Sequence, residues 1–373
     1  MKKILYITDQ EEYSENGTIS SLFDVYLKEY FDIDIVYMTK YKYSFSKKGN
    51  HLIVPLSKQK HIIEYLIRRD IDISSYDFVF VRNKKTVLQN VLKYKNKYNY
   101  KIAFRVSYPI KHHKLEFLNT FFPYSLIKRY QYKKKINKRD ELVNQCDLFL
   151  PASVQAKDEF YSNIHTESFP IFTGLDPDIL NKHIISSDTS IKKFIYVGSI
   201  DAIREFNTIL DAFSDLASNN WKLTISTTNK MYINDLLKHY SNIRNNINVT
   251  SAMSLKDLRE QINEHDVGIA LMPRNRFYDT VLSDKVIDYS SCSLPCLLTS
   301  NEKNRSIFND DEAYFSEFTK NNIKNKLDDI INISHEQLSV TGNNAQEKLL
   351  SIKRNYKILA KQLNDKLISI IEK

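Results

Sequence analysis

The chain has 373 residues, enough for two α/β domains with a core each, and its 42% hydrophobic content with only 6 glycines and 8 prolines excludes a disordered or low-complexity chain. The formal net charge is +9, but seven Lys/Arg and no acid crowd into 121–139 (FFPYSLIKRYQYKKKINKR), which excludes a uniformly basic protein and leaves a local patch. Three cysteines, Cys146, Cys292 and Cys296, make no disulfide framework and fit a reducing compartment, and without a second ligand pair they imply no zinc.

From the first residue, MKKILYITDQ reads as a buried first strand at 4–8. It is not read as a signal peptide, because the apolar run is short and Asp9 ends it. No apolar stretch reaches the roughly 18 residues that a membrane span needs. Further strands are predicted at 33–37, 78–81, 101–106 and 148–150, with helices at 18–30, 61–69, 86–94 and 124–144. Ser153 is placed to cap the helix that follows it.

Thr173-Gly174-Leu175-Asp176-Pro177-Asp178 is turn-rich and reads as a hinge, followed by a polar stretch at 186–190. A second series then begins. Its strands are expected at 193–197, 222–226, 246–250, 267–270 and 296–299, and its helices at 206–217, 233–239, 255–263 and 285–291. From 337 to 373 the apolar spacing is helical with few breakers, which predicts one long packing helix. Alternating strands and helices give parallel sheets covered on both faces. The fold class is therefore α/β, with two Rossmann-like domains facing across a cleft. The expected division is 1–175, 176–350, and a C-terminal helix at 351–373 packing back toward the N-terminal domain.

Two segments carry chemistry. In FIYVGSIDAIREFNTILDAF a strand ends at Gly198, where a ligand can approach bare backbone, and a helix starts near Phe206, whose free N–H groups suit an anion. Arg204 lies between them, able to meet phosphate oxygens in a bidentate way. The same pattern also fits a plain turn. In DVGIALMPRNRFYDTVLSDKVIDYSSCSLPCLLT, Lys285 and Asp288 open a helix three residues apart on one face. A cation there opposes the helix dipole, and an anionic ligand would relieve that. The alternative is a surface ion pair worth a few tenths of a kcal/mol.

The two segments, in this order and separation, resemble the GT-B glycosyltransferases, in particular the retaining family known as glycosyl transferases group one. Tyr196-Val197-Gly198 with Arg204 looks like that family's first C-terminal strand and phosphate loop. Lys285-Val286-Ile287-Asp288-Tyr289 with Leu294-Pro295 looks like its donor helix, and ELVNQCDLFLPASVQAKDEF and FPIFTGLD resemble its segments ahead of the hinge. The resemblance implies a nucleotide diphosphate held by Gly198, Ser199, Arg204 and Lys285, with Asp288 on the ribose and the base near Ser251 and Met253. Arg204 and Lys285 are then the catalytic pair that offsets charge on the leaving diphosphate, with no metal and no cofactor beyond the nucleotide-sugar substrate.

The sequence departs from the family pattern at several places. Thr280 stands where the family often has a first glutamate, with Asp279 beside it. Ser199 replaces a second basic residue, and Glu205 replaces a glycine. No histidine follows the fourth N-terminal strand: Ser107 and Tyr108 occupy that place, and His112 and His113 come a few residues on. Ser107, His112 and His113 join Gly17 and Thr18 as acceptor-side candidates, the last two reading equally as a helix cap. His61, His239 and His265 read as solvated or core-satisfied.

Interleaved aromatics and cations in 121–139 suit an anionic bilayer surface; RNA stacking and a plain solvated helix face fit the same composition. The functional expectation is transfer of a UDP- or GDP-activated sugar to a glycan or lipid-linked acceptor in cell-surface polysaccharide synthesis. It places the protein in the cytoplasm, peripheral on the inner membrane face, with no nucleic-acid partner. A GT-B nucleotide-sugar epimerase and a catalytically silent GT-B partner remain as alternatives.

Overall fold

The structure is a computed structural model that describes residues 1–11, 17–119, 121–181 and 190–372. The predicted polar stretch 186–190 lies outside the described residues except for Ser190. The chain divides into two compact units. The first is Met1–Phe172 with Tyr356–Lys373, and the second is Thr173–Asn355.

The first unit holds a seven-stranded sheet: β1 (Lys3–Ile7), β2 (Asp32–Thr39), β3 (Ser46–Lys48), β4 (His51–Pro55), β5 (Phe78–Arg82), β6 (Lys101–Arg105) and β7 (Leu148–Leu150), in spatial order β3-β4-β2-β1-β5-β6-β7. All pairings are parallel except the short β3–β4 edge. The predicted strands are present. The β3–β4 pair was not foreseen, and Lys47, Lys48 and Pro55 explain why, since those residues mark an edge rather than a buried strand.

Ile4 and Tyr6 of β1 lie in one core cluster with Phe23, Tyr26, Phe80 and the helix Tyr356–Ile371, whose Leu359, Leu363 and Leu367 are fully buried. The predicted helix at 18–30 is instead a π-helical turn, Thr18–Phe23, and a 3₁₀ turn, Tyr26–Glu29. They are separated at Val25, whose φ of −121° and ψ of −78° leave the helical region. A short helix, Ile110–Glu116, was not foreseen. Ser153 caps Val154–Phe160, its hydroxyl accepting from the Ala156 N–H at 2.9 Å.

The second unit has six parallel strands: β8 (Lys192–Val197), β9 (Trp221–Thr227), β10 (Ile247–Ser251), β11 (Val267–Ala270), β12 (Cys296–Thr299) and β13 (Tyr314–Ser316), in order β10-β9-β8-β11-β12-β13. Helix Phe206–Ser214 packs through Phe206, Ile209, Leu210 and Phe213 on one face, and helix Asp284–Ser291 through Val286, Ile287 and Tyr289 on the other. Each such buried side chain stabilises the unit by roughly 1.5–3 kcal/mol.

The expected single C-terminal helix is two. His335–Ser351 belongs to the second unit and Tyr356–Ile371 to the first. The break is imposed from a distance. The Leu175 N–H donates to the Arg354 carbonyl at 2.6 Å, and the Arg354 guanidinium donates to the Thr173 carbonyl at 2.7 Å.

In both sheets the chain builds outward on one side of the first strand and then crosses to the other. The reversal falls between β1 and β5 in the first unit and between β8 and β11 in the second. The carboxyl ends of strands at such a reversal are where open α/β sheets bind ligands. Among the described residues no helix is long and apolar enough to cross a membrane.

Candidate functional site

At the second unit's reversal, β8 and β11 pair only through Val267–Phe194 and Gly268–Ile195, then part. Tyr289 fills the opening. Its hydroxyl accepts from the Val197 N–H at 2.9 Å, and its proton lies between the carbonyls of Ile195 (3.1 Å) and Ile269 (3.2 Å). Gly268 makes room for the ring, because a Cβ there would lie 2.3 Å from Tyr289 Cδ2. The helix Asp284–Ser291 is thereby pinned to the strand that ends at Gly198.

Gly198 has φ +127°, a conformation that side-chain-bearing residues rarely adopt. A Cβ at this position would lie 3.7 Å from Lys285 Cε and 3.9 Å from its Nζ, so bare backbone and the ammonium share one spot. Lys285 is 5% exposed, which removes the surface-pair alternative. Its ammonium sits 4.0 Å from the centre of the Tyr196 ring and 3.8 Å from Met272 Sδ. Among the described residues no carboxylate pairs with it within 4 Å. Burial pushes the ammonium below its usual pKa, and the Arg204 charge adds to that against the Tyr196 phenol.

Arg204 ends a short turn, Ala202–Arg204, that Asp201 caps by accepting from the Ile203 and Arg204 N–H groups at 3.1 Å each. Its Nε is buried without a hydrogen-bond partner, 3.7 Å from Asp201 Oδ2. Glu205 next to it has φ +47°, which accounts physically for glycine being favoured there. Burial acts to raise the Tyr196 phenol, but Lys285 and Arg204 outweigh it and hold the phenol below its ordinary pKa. Neither helix start, at Glu205 or Ser283, has a side-chain cap, so both keep N–H groups for a ligand.

Asp288 makes no ion pair with Lys285 despite the spacing. Burial, reinforced by the Asp284 carboxylate one turn earlier, lifts its carboxyl to about 7 against the pull of Arg259 and Lys285. Ser199 is exposed, its carbonyl accepting from the Tyr196 hydroxyl at 3.1 Å. Met253 packs against the cluster that includes Val286 and Ile287. Thr280 is buried and donates to the Phe277 carbonyl at 3.3 Å. Asp279, the nearest stand-in for a glutamate, is engaged by Arg274 Nε at 3.1 Å and by Asn301 at 3.0 Å. Tyr196 and Tyr278, both acting on Arg204, were missed by sequence reasoning. The signal for Tyr196 was a hydroxyl two residues before the glycine, at the apolar end of the strand.

The acceptor-side candidates fall in three places. Gly17 lies against the Tyr356 ring, and the Thr18 hydroxyl meets the Tyr356 hydroxyl at 3.3 Å. Ser107 exchanges hydrogen bonds with Asn83 (2.9 and 3.0 Å). His112 meets Tyr161 edge to face and Phe160 at a tilt and lies 3.3 Å from Arg139, while His113 packs between Tyr108 and Phe117. His265 is core-satisfied, bonded to Gln261 and Thr224 at 2.7 Å each.

Three Asp-x-Asp triplets, at 32–34, 70–72 and 176–178, lie outside the two segments that carry chemistry, and most of their carboxylates have local partners. Asp32 and Asp34 pair with Lys3, Asp72 caps a turn through Ser74, and Asp176 accepts from the Asp178 N–H. One of the seven cations of the basic segment is not on the surface: Arg139 is buried and paired with Asp140 at 2.6 Å. The other six are exposed beside Phe121, Phe122, Tyr124, Leu126, Ile127 and Tyr130, of which Phe121 is 90% exposed.

No protein-family model matches the chain, and no curated protein matches it. Solved structures do. Sucrose-phosphate synthase from Thermosynechococcus elongatus superposes with a TM-score of 0.75 at 10% identity, over 100% of both chains. HepE from Anabaena, in complex with UDP and glucose, gives 0.72 at 10% identity, over 99% of this chain and 100% of that one. The α,α-trehalose 6-phosphate synthase from Burkholderia multivorans gives 0.69 at 10% identity, over 99% of each. The chain has the fold of these proteins, the GT-B fold of two Rossmann-like domains that the motif order implies.

Proposed function

We propose that the protein is a glycosyltransferase that moves a sugar from a UDP- or GDP-sugar to a glycan or lipid-linked acceptor in cell-surface polysaccharide synthesis, with retention and without a metal. One observation carries this reading: two cations, Lys285 and Arg204, held without a full counter-charge beside a positive-φ glycine at a sheet reversal. A buried unpaired cation is costly, and a diphosphate supplies what it lacks. In this reading the C1–O bond to the diphosphate breaks as the acceptor oxygen bonds C1 on the same face, and the acceptor proton leaves with the diphosphate. Lys285 and Arg204 offset the charge that develops there, and Asp288 accepts from the ribose diol. The second unit takes the donor and the first the acceptor. The structural neighbour HepE was solved with UDP and glucose, which supports the donor class.

A silent nucleotide-binding partner is favoured by a different observation: Thr280 offers no carboxylate and Asp279 is tied to Arg274 and Asn301. Ligand-observed NMR with UDP-, GDP- and CMP-sugars, followed through turnover, separates the two. Saturation of a donor without sugar release or transfer to any acceptor would leave the silent reading standing.

Membrane attachment belongs to the same proposal. The six exposed cations and the exposed aromatics around Tyr124–Val143 suit an anionic inner-leaflet surface, each basic residue contributing about 1 kcal/mol there. Vesicle cosedimentation should show binding to anionic but not neutral lipid, weakened when Lys133, Lys134 and Lys135 are neutralised together. Equal binding to both lipids, or to neither, would reduce the patch to a solvated face.

A further inference from the structure

The first unit has its own sheet reversal, between β1 and β5; of the residues at the carboxyl ends there, Ser107 was an acceptor-side candidate, but the arginines were not singled out by the sequence. Arg82 ends β5 and Arg105 ends β6, and the two are direct partners in the parallel register. Both are buried. Arg82 donates to Asp9, which also accepts from Asn83 at 3.1 Å. Asn83 has φ +59° and joins Ser107, closing a polar rim of half-buried Asp9, Asn83 and Ser107 over the arginines.

Arg105 is different. It is 4% exposed, its Nε and Nη1 have no hydrogen-bond partner, and among the described residues no carboxylate pairs with it. Burial pushes its guanidinium below the usual arginine range; the Tyr6 phenol, which approaches it, and the Tyr356 phenol act the other way, and the like charge of Arg82 adds to the burial. Two other buried arginines show what a structural role looks like: Arg139 pairs with Asp140, and Arg354 donates to the Thr173 carbonyl, whereas Arg82 pairs with Asp9 and leaves its Nε without a partner. A guanidinium that only braced the fold would be expected to reach a carbonyl or a carboxylate in the same way. Of the two guanidinium groups at the place where this sheet topology receives ligands, only Arg82 has a carboxylate, Asp9, so the location has one positive charge in excess and planar donors to spare.

We propose that the sheet reversal of the first unit is an oxyanion-recognition site, in which Arg105, with Arg82 as its register partner and Ser107 on the polar rim, binds a phosphate or carboxylate group of a sugar. That this sugar is the acceptor rests on the transfer reading above; the site itself does not.

The test uses the full chain and isothermal titration with glucose, glucose 6-phosphate and glucuronate, with UDP titrated in parallel. At least one charged sugar is expected to bind tenfold or more tightly than glucose, and whichever arm prevails identifies the group as phosphate or carboxylate. Arg105→Met should abolish that preference, leave UDP affinity unchanged, and raise the ligand-free Tm, since an unpaired buried charge gives way to an apolar side chain. Arg105→Lys, which keeps the charge but loses the fork, should retain a weakened preference and serves if the Met variant fails to fold. No preference for charged sugars in a wild-type protein that binds UDP overturns the proposal. So does an intact preference in Arg105→Met, or a lowered Tm with anion binding unaltered. Preference for a charged sugar without UDP binding would sustain this site and sink the donor assignment.

Discussion

The two sheet reversals share a topology and differ in electrostatics. In the second unit Lys285 and Arg204 face an aromatic ring, a thioether and an open backbone at Gly198, with Asp201 the nearest carboxylate at 3.7 Å. In the first, Arg82 is neutralised by Asp9 while Arg105 is left over. The sheet order decides where a ligand goes, and the few residues after each strand decide how much negative charge it should bring. A diphosphate suits two cations that share only the distant Asp201 carboxylate, and a single oxyanion suits the lone guanidinium.

The sharpest break of this contrast is mutational. Lys285→Ala and Arg204→Ala should each weaken nucleoside diphosphate binding by roughly 1.5–3 kcal/mol, about tenfold or more. Arg105→Met should leave it untouched. Equal losses from all three variants would mean the units do not divide the anions between them.

A smaller effect is expected at Asp288. Its carboxyl titrates near 7, so the charged form that accepts from a ribose diol dominates only above that pH. Nucleotide affinity should rise from pH 6 to pH 8, by about threefold or less on the scale of one weak hydrogen bond. Asp288→Asn should flatten that rise and keep the protein folded. A rise that persists in the Asn variant would take the ribose role away from this residue.

The smallest expected effect is none. Turnover should be unchanged by EDTA, because the donor chemistry rests on side-chain cations and helix starts. Loss of activity on chelation, restored by magnesium or manganese, would show that the second unit's cations are insufficient on their own.

The proposed donor residues could be named from the sequence because the pattern that suggests them is local. Gly198, Arg204, Lys285 and Asp288 sit on two short segments whose glycine, basic residue and helix starts can be read from adjacent letters. Tyr278 was not legible, since nothing near it in the sequence shows that it acts on Arg204. The interruption between residues 351 and 356 was hidden for a similar reason. Nothing in Ser351-Ile352-Lys353-Arg354-Asn355 breaks a helix by itself; backbone and guanidinium bonds to Thr173 and Leu175, some 180 positions away, do so. Arg82 and Arg105 each end an apolar strand and read as its polar terminus. Only the register between β5 and β6 brings them side by side.

Tyr289 has a mechanical consequence. By accepting from Val197 and donating toward Ile195 or Ile269, it makes the helix that bears Lys285 and the strand that leads into Gly198 a single rigid body. Thermal breathing of the sheet then carries the ammonium and the bare backbone along together instead of opening a gap between them. A ligand meeting such a cradle has little of it to assemble, so the entropic cost of ordering falls on the nucleotide and not on the protein.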